Sequence, residues 1–458
     1  MNENSQQLAR FIAESAGRLG VPGVAVGIWA DEQETYACEG VTSLANPLPI
    51  DRDTMFAVGS VSKTFTATAL MCLVAQGLVD LATPVRQYVP EFTLADAQAA
   101  DRITLLQLLN HTAGLATRLS VETGEGDDAL AAYVAAMAEL ELVTPPGTRA
   151  SYSQAGYNLL GRVIEKLTGL TFERAVASLL LEPIGLTHSA YSLDTVPTGR
   201  FAIGHNAAPD GTLAVVSHWK DGRANNAGGG LASSVADLLR WARFHLGDGR
   251  AANGERVLPA DALQRMQRPT VELRGSTLGD AVGLCWFLRN VGGVATMGHG
   301  GSANGQFADL LIAPDRRFAV AVASNAGPDA GLQFNRAVVR WALERYLGVV
   351  DRDPAPLAYD GPRAAEMVGR YENEIMRLIV ADAGSALTVE CLIKPEIRAA
   401  SGAEVPPDLP PAALGLLPGD AYVVTAGGME GQRGFVTRDD DGTVVGIDLA
   451  GRLFGRVR

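Results

Sequence analysis

Ser60 and Lys63 stand three residues apart at the head of a run, Val61 to Leu73, built of small, hydroxyl-bearing and apolar residues. A lysine inside such a run constrains the fold strongly. The segment reads as a helix that leaves the lysine half-buried among Val, Phe, Ala and Leu, where desolvation would lower its pKa. On a helix the two residues share one face and can touch. The small-residue turn Ala57-Val58-Gly59 delivers Ser60 to the helix start. A serine hydroxyl is a poor nucleophile and needs an adjacent base, and a desolvated lysine amine is one. The Ser60 N–H also falls among the unpaired donors of a helix N-terminus, where an oxyanion can be held.

The spacing recurs at Ser217 and Lys220, where Asp221-Gly222 breaks any helix. That lysine reads as a solvated loop charge, and context must separate the two matches.

The 458 residues suffice for two domains, or for one large domain and a small one, and 47% apolar content supports a sizeable core. A net charge of −13 without a basic cluster argues against nucleic acid and against an anionic membrane surface as partners. Four scattered cysteines and six histidines lack metal-ligand spacing, so neither a metal nor another cofactor is expected. The polar start Met1-Asn2-Glu3-Asn4-Ser5 has no apolar signal core, and no run reaches membrane-spanning length. A cytoplasmic location is expected; the oligomeric state is not legible.

Periodicity predicts a helix over 5–18, a strand over Val24–Trp29 and an antiparallel partner over Glu34–Gly40. The Ser60 helix should run to about Gln76. A short helix should begin at Pro84, a buried one should occupy Ile103–Leu109, and an Ala-rich one 127–142. His111, beside a helix end, reads as structural. Tyr152 lies in a loop before the periodic helix Tyr157–Glu165. Residues 200–230 look loop-rich, and a helix capped by Ser233 or Ser234 follows to Leu246. Strands are predicted over Val282–Phe287, Phe307–Ile312 and Phe318–Ala323, then a helix over 332–347. Residues 351–363 read as a Pro- and Asp-rich linker, and 364–458 as short alternating strands of a small antiparallel barrel.

Three features therefore follow in chain order: Ser60/Lys63, Tyr152, and His299-Gly300-Gly301-Ser302 at the edge of a strand pair. Around them stand Leu108-Leu109-Asn110-His111-Thr112-Ala113-Gly114, Gly156-Tyr157-Asn158-Leu159-Leu160-Gly161, Gly229-Gly230-Leu231-Ala232-Ser233 and Gly305-Gln306. In these stretches, over about residues 5–347, the chain resembles the serine β-lactamase and penicillin-binding-protein superfamily. The branch is the class C β-lactamase-like one, with D-aminopeptidases, D-alanyl-D-alanine carboxypeptidases, carboxylesterases and penicillin-binding-type peptide cyclases. Gly369-Arg370-Tyr371-Glu372-Asn373 resembles the lipocalin-like domains appended to several of these.

The resemblance implies an α+β fold: an antiparallel sheet flanked by helices, with a helical subdomain and a small C-terminal β domain. It implies a catalytic domain over 1–350, a linker over 351–363 and a lipocalin-like barrel over 364–458. Ser60 would be the acylated nucleophile, Lys63 its proton partner and Tyr152 a second acid/base with its pKa depressed by the lysine. The N–H groups of Ser60 and Ser302 would form the oxyanion hole, with Gly300 and Gly301 allowing close approach of substrate. His299 stands where many relatives have lysine; it can donate to a substrate carboxylate or carbonyl, or orient the Tyr152 loop. Tyr152-Ser153-Gln154 replaces Tyr-x-Asn, which makes Gln154 a candidate substrate-binding amide with a longer arm. Lys-Thr-Gly and Ser-Asp-Asn are absent.

The function implied is a serine hydrolase acting on a small-molecule or peptide ester or amide through an acyl-enzyme. Acyl transfer to an amine, as in peptide cyclisation, and a non-catalytic sensor are the alternatives. The C-terminal tail either covers the site or only stabilises the chain.

Overall fold

A computed structural model describes residues 3–119, 121–192, 200–208, 210–400, 408, 410–427 and 429–457. Helix α1 (Glu3–Leu19) precedes strands β1 (Gly23–Ala30) and β2 (Gln33–Gly40), which pair antiparallel. Helix α2 (Ser62–Ala75) follows a single 3₁₀ turn over Gly59–Val61. Helix α3 (Gln154–Thr168) is capped by Ser153, whose hydroxyl accepts from Gly156 N–H at 3.1 Å; α4 (Val235–Leu246) is capped by Ser234. Strands β3 (Val271–Ser276), β4 (Gly279–Val282), β5 (Phe287–Val291), β6 (Val294–Ala303), β7 (Gln306–Ala313) and β8 (Phe318–Ser324) then complete an antiparallel sheet of order β2-β1-β8-β7-β6-β5-β4-β3. Helix α5 (Ala330–Leu347) closes this part.

Alternation along the central strands divides the core. Val24, Val26 and Ile28 of β1 and Phe318, Val320 and Val322 of β8 pack beneath α1 and α5. The small Ala25, Ala319, Ala321 and Ala323 face the other way, into the large core that holds α2, α3 and α4. Residues of modest size there let the helices lie close to the sheet.

The strand expected over Val282–Phe287 is broken. Gly283 N–H donates to Trp286 O at 2.8 Å, Cys285 takes φ +82, and Val282 and Phe287 instead face each other across a hairpin. The Ala-rich helix is shorter than expected, spanning Ala129–Ala136 before a 3₁₀ turn. Within the loop-rich stretch, Asn226–Gly229 forms one helical turn.

Residues 351–360 carry no regular structure, and Gly361–Met367 is a helix. Eight strands follow: β9 (Gly369–Glu372), β10 (Met376–Asp382), β11 (Leu387–Ile393), β12 (Ala412–Leu416), β13 (Ala421–Ala426), β14 (Arg433–Arg438), β15 (Val444–Leu449) and β16 (Arg452–Val457). They pair in sequence order, and β16 returns to β9 to close a barrel. Closure leaves no free edge. Its interior is filled by Tyr371, Leu378, Val389, Tyr422, Ile447 and Phe454. Among the described residues no helix is long and apolar enough to cross a membrane.

Candidate active site

Ser60 sits in the 3₁₀ turn that enters α2, and the start of that helix is clamped against β6. The clamp explains two glycines. A Cβ on Gly301 would lie 2.8 Å from Ser60 N, and one on Gly59, at φ +50, would lie 2.6 Å from Ser302 N. Backbone therefore meets backbone here, and the N–H groups of Ser60 and Ser302 are brought to one place. Gly301 serves this contact within the protein. Gly300 does not share it: a Cβ there would meet Asp309 Oδ1 at 2.8 Å.

Lys63 is fully buried. Its Nζ lies 3.2 Å from Ser60 Oγ and donates to Gly228 O at 2.7 Å and to Gln154 Oε1. Burial pushes its pKa well below the ordinary lysine value, and the Arg452 charge adds to the effect. The Ser60 hydroxyl and the Gly228 and Gln154 carbonyls surround the amine, and burial favours its uncharged form.

The Tyr152 ring lies 4.8 Å from Lys63 Nζ, and its hydroxyl is buried beside that of Ser60. Its phenol is not depressed, as the resemblance implied. Burial raises its pKa, with the Ser60 hydroxyl and the Arg452 charge acting in the opposite direction. The reason is that desolvation of the buried phenol disfavours the phenolate more than its neighbours favour it.

His111 brackets this tyrosine. Its Nδ1 accepts from Ser153 N–H at 3.1 Å, its carbonyl accepts from Ser151 N–H at 2.9 Å, and its ring lies 4.5 Å from that of Tyr152. Sequence reasoning gave His111 a structural part, and the structure gives it this one.

Gln154 has both polar atoms engaged: Oε1 accepts from Lys63, and Nε2 donates to Asn225 Oδ1 at 2.5 Å. It holds the lysine, where a substrate-binding amide was expected. The Asn225 amide donates in turn to Asp221 Oδ2 at 3.1 Å.

His299 is buried, and its Nδ1 donates to Gly300 O at 2.7 Å. Burial pushes its pKa down to about 3. Nδ1 thus carries the hydrogen, and the unpartnered Nε2 presents a lone pair. The expected donation from this side chain to substrate is closed in this arrangement. Its ring instead packs 5.0 Å from Phe287 and 6.2 Å from Tyr152.

The barrel supplies residues that no motif announced. Tyr152 N–H donates to Gly451 O at 2.8 Å, and Arg452 stacks its guanidinium 4.9 Å from the Tyr152 ring centre. Arg452 makes no ion pair among the described residues. Glu374, between β9 and β10, accepts from Thr117 N–H at 2.5 Å, and Thr117 O in turn accepts from Gln154 N–H at 2.7 Å. Gly228 and Asn225, the partners of the lysine system, also lay in a stretch that read only as loop. Ser60, Tyr152, Gly300, Ser302 and Arg452 all line one cleft of about 440 Å³ between sheet and barrel.

The second Ser-x-x-Lys match is not a site. Ser217 is exposed and pairs with its neighbour His218, while Lys220 donates to Asn226 Oδ1 at 2.9 Å and to Tyr191 O. No group of metal-ligating side chains occurs among the described residues.

The family model described as Beta-lactamase matches residues 8–343. Penicillin-binding protein 4 of Amycolatopsis lactamdurans is 35% identical over 362 residues, covering 77% of this chain and 94% of that protein. The solved structure of SurE superposes with a TM-score of 0.74 at 28% identity, over 99% of both chains, and SurE has also been solved with D-Leu. A class C β-lactamase from Rhodobacter sphaeroides, at 21% identity and a TM-score of 0.60, covers 72% of this chain and 98% of its own, and so shares the fold of the first part alone. The chain belongs to the β-lactamase family, within the superfamily of serine hydrolases that includes penicillin-binding proteins.

Proposed function

We propose that the protein is an acyl-enzyme serine hydrolase that cleaves an ester or amide of a peptide-like substrate. The observation that carries this reading is the buried Lys63 amine, 3.2 Å from Ser60 Oγ and held by the Gly228 and Gln154 carbonyls, where burial favours its uncharged, basic form.

Lys63 Nζ takes the Ser60 proton as Oγ bonds to the substrate carbonyl carbon. The oxyanion so formed is held by the N–H groups of Ser60 and Ser302, which are fixed before the reaction and need no reorganisation. Tyr152, kept protonated by burial, gives its phenol proton to the leaving group as the carbon–leaving-group bond breaks. Lys63 then returns its proton to the phenolate. Water attacks the acyl-enzyme by the reverse relay and releases the acid.

Arg452 makes no ion pair among the described residues, and it would hold an anionic group of the substrate. The D-Leu in the SurE structure makes a D-configured residue beside the scissile bond the first substrate type to try.

The test is a turnover screen of p-nitrophenyl esters, D- and L-aminoacyl p-nitroanilides and nitrocefin, with acid-quenched intact mass measured alongside. A transient acyl adduct on Ser60 is expected. Turnover without any adduct, or adducts elsewhere, contradicts the reading.

A further inference from the structure

Gly300 of β6 faces Asp309 of β7 across the sheet, so their side-chain positions share one face. The Asp309 carboxylate fills the space that a side chain at 300 would take. Both residues line the cleft that contains Ser60.

This carboxylate is poorly compensated. Its Oδ2 accepts from Asn335 Nδ2 at 3.1 Å, and Ser324 Oγ fixes that amide by donating to Asn335 Oδ1 at 2.9 Å. Among the described residues no cation pairs with Asp309. Three arginines of the same wall are already taken, Arg289 by Asp351, Arg336 by Asp353 and Arg340 by both, while Arg433 donates to the Ser276 carbonyl at 3.1 Å. His299, next along β6, is neutral. Asp329 and Glu430 add negative charge to this branch of the cleft. Burial lifts the Asp309 carboxyl to about 7, with only Asn335 opposing it. A desolvated carboxylate without a counter-charge, set in a catalytic cleft, is costly unless something charged completes it.

We propose that Asp309 makes the branch of the cleft beyond Gly300 a subsite for a cationic group of the substrate, an ammonium. Asp309 is then a specificity-determining residue, an acidic counterpart to Arg452 in the same cleft. This inference rests on the acyl-enzyme reading given above.

Two pairs of esters that differ only in charge test it. One pair sets butyrylcholine against 3,3-dimethylbutyl butyrate. The other sets ω-trimethylammonio-acyl p-nitrophenyl esters, in a short series of chain lengths, against their uncharged carbon isosteres. Wild-type kcat/KM should favour the cationic member of at least one pair by about tenfold or more, as a close ion pair in a half-buried site allows. Asp309→Asn should cut that ratio below about threefold. Gly300→Ser, which pushes the carboxylate aside without removing it, should lower the ratio too, and it serves if the first variant fails to fold. A wild-type ratio below about tenfold in both pairs overturns the proposal, as does a ratio that neither variant lowers. Intact mass keeps the two readings apart: Ser60 acylated without charge preference sinks only the subsite, whereas no acylation of Ser60 by any ester sinks the mechanism beneath it.

Discussion

Tyr152 N–H donates to Gly451 O at 2.8 Å, so the barrel's β15–β16 turn holds the backbone of a residue that lines the cleft with Ser60. The next residue, Arg452, reaches over the same ring. The barrel thus sets both the position of this phenol and the charge around it.

Removing that charge has a definite sign. Arg452 disfavours the ammonium form of Lys63, so Arg452→Met should raise the lysine pKa. The ascending limb of the pH–rate profile, which reports the neutral amine, should move to higher pH by about one unit, the effect of one charge a few ångströms away. In the wild type the profile should level off well below the ordinary lysine pKa of about 10.4. The limb belongs to the coupled Lys63/Tyr152 system. A wild-type profile still climbing through pH 10, or a limb that Arg452→Met leaves in place, would refute the neutral-lysine account.

Lys63→Ala and Tyr152→Phe should each lower kcat by a factor of about 10²–10⁴, the usual worth of a positioned acid or base. The effects should not add, because the two groups pass one proton between them. Single and double variants measured on one activated ester decide this.

Asp448, buried at the end of β15, supports the same turn. Burial lifts its carboxyl to about 7, against Arg149, the Gly451 N–H and Arg452 acting to lower it. A folded-state pKa above the unfolded value of about 3.9 gives stability that is present below pH 4 and lost as pH rises through 7. Asp448→Asn keeps an acceptor and removes the titration. Its Tm should gain on the wild type between pH 5 and pH 8, and a constant difference across that range would contradict the assignment.

Much of this arrangement was legible in the sequence because it is local. Ser60 and Lys63 are joined by helical spacing, β1 and β8 by their apolar alternation, and the strands of the C-terminal part by their turns. Tyr152 and His299-Gly300-Gly301-Ser302 were found through resemblance to a family, since nothing in their own spacing brings them to Ser60. Long-range closure is what escaped. Gly228 donates no side chain, yet its carbonyl holds the lysine. Arg452 and Gly451 lie some four hundred residues from Ser60 and carry no motif. The direction of the Tyr152 shift was misread because burial of the phenol itself sets it, and only the fold shows that burial.

Substrate preference follows from charge. His299 offers a lone pair, and the Asp309 carboxyl, an acceptor for a cation when ionised, lies beside Gly300. Both weaken the hold on the carboxylate of a β-lactam on that side of the cleft. Short-chain ester hydrolysis should exceed nitrocefin hydrolysis in kcat/KM by at least about tenfold, or ~1.4 kcal/mol of transition-state stabilisation. Nitrocefin turned over faster than every ester tested would reverse the preference while leaving the nucleophile in place.

The nucleophile itself is tested most directly by intact mass after a fluorophosphonate, with the adduct mapped by peptide mass. The wild type should gain one adduct on Ser60, Ser217→Ala should gain the same adduct, and Ser60→Ala should gain none while keeping the wild-type Tm within a few degrees. An adduct that survives in Ser60→Ala, or one that maps to Ser217, would contradict the account.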